Sequence, residues 1–376
     1  MKKNLILTTV LFCSCIFILT AGYGQTKEEY YNSGQAKYKQ KDYNGAISDH
    51  TKAIEIDSKY VASYHGRGLA RYKLKDYSGA IEDYNKAIEY KPEYASAYYN
   101  RGLAKYSLKD YKGELEDYNK AIEYNPKFAS AYYNRALSKE GFKDYSGAIE
   151  DYTRAIENDS GYASAYYNIG VAKYYLQDYS GAVESFTKAI ENNPSDIKAY
   201  YNRAHARYDL KDYKGANTDF TKAIEINPRY ADAYYNRGLT SYKLRDTEGE
   251  IADYTKAIEI DPKYEKAYYN RGLAREEQKD HNGAIADYSK AIEINPRYAE
   301  AYNNRGLVKY NIKDYTGAIA DYSEAIEYSP DYAVAYYNRG LAKLEAGMKD
   351  SACMDFKKSS ELGATDANLI IEQHCK

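Results

Sequence analysis

No face, run or tail of a single charge sign occurs in this chain. Its 53 Lys and Arg balance 55 Asp and Glu, and the two signs are spread evenly, for a formal charge of −2. A nucleic-acid or polyanion binder needs a basic patch, so that class is excluded. Histidines are few and scattered, at His50, His65, His205, His281 and His374. No metal-ligand spacing, phosphate loop or nucleophile motif occurs either, so neither a cofactor nor an enzymatic activity is expected. Tryptophan is absent, and there are 7 phenylalanines against 50 tyrosines. A composition so skewed means that one short unit has been copied.

The N-terminal stretch MKKNLILTTVLFCSCIFILTAGYGQT is of another kind. Lys2 and Lys3 precede an uncharged, largely apolar run of 16 residues, Leu5 to Thr20. Gly22 and Gly24 then stand at the small-residue spacing of a cleavage site before Gln25. This is the pattern of a secretory signal peptide over 1–24, and the run is short for a membrane span. The alternatives are an uncleaved anchor, or a lipoprotein signal at Cys13 or Cys15, although apolar sequence continues past both. Export to a periplasmic or extracellular location is expected, with no membrane insertion after cleavage. Only Cys353 and Cys375 would then remain. They can pair as a disulfide in an oxidising compartment, or stay as two small buried thiols.

All 7 prolines fall on one register: Pro92, Pro126, Pro194, Pro228, Pro262, Pro296 and Pro330, spaced by 34 or 68. Ten copies of a 34-residue unit fit, beginning at Lys27, Val61, Ala95, Ala129, Ala163, Ile197, Ala231, Glu265, Ala299 and Ala333. A fixed period of this length decides the architecture before any element is assigned. The fourth residue of each copy is Tyr, the eighth is Gly or Ala, and the nineteenth is Gly in the first nine. In GAIEDYNKAIEY, residues 79–90, Ala80, Ile81, Tyr84, Ala87 and Ile88 form one apolar stripe at helical spacing. The first half, ASAYYNRGLAKYSLK, is helical too, with Tyr98, Gly102 and Tyr106 four apart. Asp110 supplies a capping oxygen for the second helix, and Pro126 breaks the chain before the next copy. One helix pair cannot bury its own apolar face, so copies must stack. Small residues such as Gly102 and Ala121 are expected to let neighbouring backbones approach.

The pattern Y…G…Y…DY.GAI.DY.KAIE..P resembles the tetratricopeptide repeat over residues 27–366. The resemblance implies an all-α fold: a right-handed α-solenoid superhelix of ten helix-turn-helix repeats, of an exported bacterial type. Two departures stand out. The fourth position is Tyr rather than Trp, and the seventh, usually Leu in that family, is mostly Arg. The tenth copy degenerates, and Leu369, Ile370 and Ile371 predict a final capping helix over 367–376 with a polar outer face. That cap would bring Cys375 near Cys353.

The seventh-position arginines demand an anion, because a buried cation without a partner costs several kcal/mol. The twenty-third residue is Asp in every copy except the fifth, which has Ser185; the fifth copy also replaces the arginine, with Ile169. Both members vanish together. Pairing within copies is therefore expected: Arg67 with Asp83, Arg101 with Asp117, Arg135 with Asp151, Arg203 with Asp219, Arg237 with Asp253, Arg271 with Asp287, Arg305 with Asp321 and Arg339 with Asp355. The alternative is arginines that reach out to solvent. Two more copies carry Glu114 and Glu250 where the others have Ala. The simpler reading has each leaning toward Arg101 or Arg237; the sharper one makes them site carboxylates.

In the family the first helices line a concave groove. The resemblance assigns to it Tyr99, Asn100, Leu103 and Tyr106, then Tyr133, Asn134, Tyr167, Asn168, Tyr201, Asn202, Tyr235, Asn236, Tyr269, Asn270 and Asn304. Asn can bond a main-chain amide at both ends, and Tyr offers an apolar face with a polar tip. Such a ladder fits an extended peptide or protein segment as partner. The competing readings are a glycan binder that stacks sugars on tyrosine, and a structural spacer in which Tyr and Asn satisfy one another.

Overall fold

The computed structural model describes residues 25–375. The signal-peptide reading concerns residues 1–24, which lie outside them. Among the described residues there are 21 helices and no strand. Ten helical pairs start at Lys27, Val61, Ala95, Ala129, Ala163, Ile197, Ala231, Glu265, Ala299 and Ala333. In the third copy, for example, Ala95–Ser107 is followed by Tyr111–Tyr124. The chain divides into two compact units, up to Leu176 and from Gln177. The division falls inside the fifth copy, between the helices Ala163–Tyr175 and Tyr179–Asn192.

Each turn within a copy is set by three consecutive demands. Lys109 takes a left-handed conformation, φ 65°. Asp110 then caps the second helix by accepting from the Gly113 amide at 3.0 Å. A Cβ on Gly113 would lie 2.2 Å from Asp110 Oδ2, so the cap requires glycine there. The same arrangement recurs from Lys41 to Lys313. The tenth copy uses Gly347, φ 78°, and Met348 begins the helix without a side-chain cap.

The core alternates small and large residues. Ala80 and Tyr84 of the second copy pack on Ala104 of the third, all fully buried. A Cβ on Gly102 would meet Tyr118 Cε1 at 2.7 Å. The eighth-position glycine therefore makes room for an aromatic ring of its own copy, not for a neighbouring backbone as its size alone predicts. Burying each such ring contributes roughly 2–3 kcal/mol. These layers repeat within each unit, which is how units too small for a core of their own become stable together.

The C-terminal helix runs Asp366–His374, one residue before the expected start and two short of the expected end. Ile370 and Ile371 pack against Phe356 and Ala367. Leu369 faces outward and is 62% exposed, so the outer face is not wholly polar as expected. Cys353 and Cys375 are joined in a disulfide with Cα atoms 5.6 Å apart, tying this helix to the last repeat.

Candidate functional site

The arginines define the inner framework of the site. Arg101 Nε and Nη2 donate to the two Asp117 oxygens at 2.9 and 2.5 Å. The seven other seventh-position arginines meet the aspartate of their own copy at 2.5–2.7 Å. The third nitrogen faces the other way. Arg101 Nη1 donates to Asn85 of the preceding copy at 2.6 Å, and Arg237 Nη1 to Thr221 at 3.0 Å. One guanidinium thus fastens its own helix pair and the previous one, which a rigid planar fork allows and an ammonium does not. Each arginine also lies over the tyrosine three residues before it, as Arg101 does over Tyr98 at 5.2 Å.

A second cation completes the pair. Lys105 Nζ lies 2.9 Å from Asp117, and Arg71, Lys139, Arg207, Arg275, Lys309 and Lys343 take the same position. The signal for it was present: the eleventh residue is basic in every copy but the seventh, which has Ser241. In the first copy Ser33 and Lys37 serve Asp49 at 2.6 and 2.7 Å. In the fifth, Ile169 joins the cluster of Tyr152, Ala148 and Ala165, while the Ser185 hydroxyl donates to the Gly181 carbonyl at 2.7 Å. Each half of the missing pair has a neutral substitute.

The tyrosine and asparagine ladder is turned onto itself. Asn134 Nδ2 donates to the Tyr99 hydroxyl at 2.8 Å, one copy back. Asn168 does so to Tyr133, Asn236 to Tyr201, Asn270 to Tyr235 and Asn304 to Tyr269, at 2.9–3.1 Å. In the second copy His65 stands in for the tyrosine, and Asn100 contacts its Nε2 at 2.9 Å. Burial pushes the His65 pKa down to about 4, so the ring is neutral and can accept that bond. Tyr167 and Asn202 hold the same repeat positions. These side chains knit adjacent first helices, and one amide N–H of Asn134, Asn168, Asn236, Asn270 and Asn304 is already committed.

What stays open on the same face lies further along each first helix. Tyr106 and Leu137 in the first unit, and Tyr242 and Leu273 in the second, are 56%, 43%, 49% and 36% exposed. Leu103 is half-buried. In the second unit this face encloses a cavity of about 560 Å³, lined by Leu239, Leu273 and Leu307 together with Glu250, Glu276 and Glu277. Glu114 and Glu250 do not lean toward Arg101 and Arg237. Those arginines are held by Asp117 and Asp253; Glu114 reaches the next copy's first helix instead, and Glu250 lies beside Tyr254 of its own copy. Glu114 Oε1 accepts from Ser138 at 2.6 Å, and its Oε2, fully buried, has no hydrogen-bond partner. Burial raises both glutamates, Glu250 to about 7.

Among the described residues no group of three or more His, Cys, Asp or Glu is placed to hold a metal ion, and no helix is long and apolar enough to cross a membrane. Stacked helical hairpins with a self-bonded ladder between their first helices define a solenoid repeat protein. The chain belongs to the tetratricopeptide repeat family: the TPR repeat model matches residues 34–75, 68–109, 204–244, 247–279, 277–313 and 310–347. Other tetratricopeptide repeat models match 95–128, 115–163 and 163–196. No curated protein matches. Among solved structures, the C-terminal part of a TPR repeat-containing protein from Cytophaga hutchinsonii is 22% identical, over 62% of this chain and 96% of that one, with a TM-score of 0.56. YrrB, described as a TPR protein with an unusual peptide-binding site, is 24% identical over 50% and 96%, with a TM-score of 0.45. MamA is 27% identical over 44% and 96%, with a TM-score of 0.42.

Proposed function

We propose that the chain is a non-enzymatic, exported scaffold that holds an extended segment of a partner protein along the open face of its first helices. The observation that carries this reading is the exposed apolar side chains of the first helices, Tyr106 and Leu137 in one unit and Tyr242 and Leu273 in the other, beside asparagines and tyrosines that bond one another. Large exposed apolar residues on a rigid, pre-ordered surface favour association, because little conformational entropy remains to be lost on binding. The self-bonded ladder moves the contact role from Asn100, Asn134 and their equivalents to the leucine and tyrosine positions beyond them. The Cys353–Cys375 bridge supports export, since disulfides persist in oxidising compartments.

The test is capture from the native compartment with the chain lacking residues 1–24. Tyr106→Ala with Leu137→Ala, and Tyr242→Ala with Leu273→Ala, are expected to abolish capture of the partner. Tyr99→Phe is expected to lower stability by about 1 kcal/mol, the worth of one hydrogen bond, and to leave capture intact. Retention of oligosaccharides instead of protein would favour the glycan reading and overturn this one.

A further inference from the structure

The glutamates at the cavity are not scattered. The twentieth residue of a copy is Ala everywhere except Glu114 and Glu250. The twelfth is Tyr or Leu everywhere except Glu140 and Glu276, in the copies that directly follow. The two substitutions occur twice, always together and never singly. Packing does not ask for them. Glu140 and Glu276 accept the buried hydroxyls of Tyr152 and Tyr288 at 2.6 and 3.1 Å. Yet Phe220 and Phe356 fill that ring position without any hydroxyl, and the buried Tyr84 hydroxyl goes without a partner.

In the second unit this pair opens into the cavity. Glu250 is 4% exposed, lines it, and has no ion pair. Its polar neighbour is the Tyr254 hydroxyl, and Glu277 adds a third carboxylate at the rim. No Lys or Arg lines the cavity; Lys243 and Arg245 line an adjoining one with Glu250 and Glu277, and form no ion pair with either. A carboxyl buried without a counter-ion either keeps its proton or takes a cation from outside, and a site open to a cavity allows the second. The three carboxylates do not converge as a metal site requires. Leu239, Leu273 and Leu307, one from each of three successive copies, offer an apolar strip beside them. A cation on an aliphatic stem matches both features.

We propose that the cavity of the seventh to ninth copies seats a lysine side chain of an extended, basic segment of a partner protein, its stem along Leu239, Leu273 and Leu307 and its ammonium between Glu250 and Glu276. This deepens the segment-binding reading and rests on it. The same pair recurs at Glu114 and Glu140 in the first unit, where Glu114 is buried against Ser138. The cavity holds more than one side chain, which fits a segment whose flanking residues also lie on the face.

The probes are three fluorescein-labelled hexapeptides of alternating leucine with lysine, Nε-acetyl-lysine or glutamate, followed by fluorescence polarisation on the chain lacking residues 1–24. The lysine peptide is expected to bind at least about tenfold more tightly than the other two, the worth of one charge-assisted hydrogen bond. Glu250→Gln with Glu276→Gln is expected to erase that preference. Equal binding of the lysine and acetyl-lysine peptides to the unaltered protein overturns the lysine pocket and leaves the segment groove standing. Binding of none overturns the pocket, while capture of a partner that survives Glu250→Gln and Glu276→Gln would keep the groove. The acetyl-lysine comparison needs no variant, so misfolding of the glutamine protein cannot hide the answer.

Discussion

Substituting the arginine should cost different amounts in different copies, and the difference is set by the eleventh residue. In the fourth copy Asp151 is held by Arg135 at 2.5 Å and by Lys139 at 2.8 Å. Arg135→Ile removes one cation and leaves the other, so a loss of about 1–2 kcal/mol is expected from the missing charge-assisted bonds. In the seventh copy Asp253 has Arg237 at 2.6 Å, and Ser241 stands where the second cation would be. Arg237→Ile strands a carboxylate that is 5% exposed, which costs about 3–5 kcal/mol. Asp151→Ser strands two cations at once, but Arg135 and Lys139 keep 17% and 23% side-chain exposure and can partly rehydrate. Its expected cost is about 3 kcal/mol.

The double change Arg135→Ile with Asp151→Ser transplants the fifth copy's solution. It is expected to cost less than the sum of the single changes, with a coupling of about 2 kcal/mol. Urea unfolding followed by circular dichroism gives the global values. Hydrogen exchange over residues 129–158 reads the fourth copy itself, since stacked repeats open locally. Equal costs for Arg135→Ile and Arg237→Ile, or a smaller cost for Asp151→Ser than for Arg135→Ile, would refute the two-cation account.

Three further outcomes follow from the same geometry. Burial raises the Glu250 pKa from its ordinary 4.5 to about 7, so the folded state holds this proton more tightly than the unfolded chain and stability falls as pH rises from 4.5 to 7. Glu250→Gln should therefore stabilise the protein at pH 8 by up to about 3 kcal/mol and change little at pH 4.5, as read by urea midpoints. His50 is fully buried with both ring nitrogens unpartnered, and burial lowers its pKa to about 4. Its contribution is intact above pH 6.5 and lost as pH falls toward 4; at pH 5 about 2 kcal/mol is gone, which His50→Phe should restore in hydrogen exchange of residues 27–73. Reducing the Cys353–Cys375 bridge, which closes a separation of 22 residues, should free the last helix to proteolysis without unfolding the repeats, at a cost of about 3 kcal/mol.

The period of 34 was legible because proline, glycine and tyrosine recur in fixed slots, and these slots answer structural demands: a break, a cap, a ring position. The arginine–aspartate pairing was legible for a rarer reason. The fifth copy drops Arg and Asp together, so the chain serves as its own comparison. The second cation at Lys105 and its equivalents carried an equally regular signal, but a lysine on a helix surface is ordinary, and nothing in its spacing separates a bridge from solvation. The glutamates at 114 and 250 show the limit more sharply. Their slot pointed toward Arg101 and Arg237, but those arginines are already filled; Glu114 turns to Ser138 of the following copy and Glu250 to Tyr254 of its own.

By itself the sequence determined the helices, their turns and their pairing, because those depend on contacts between residues less than one period apart. Tertiary structure decided where each polar group spends its hydrogen bonds. Asn134 looked like a ligand contact until the Tyr99 hydroxyl, 35 residues earlier, was found to accept from it. Arg101 proved to bind forward to Asp117 and backward to Asn85 across the same sixteen residues. One linear pattern allows either direction, and only the stacking of one copy on the next gives each guanidinium face its neighbour. The open face is what remains after those bonds are made.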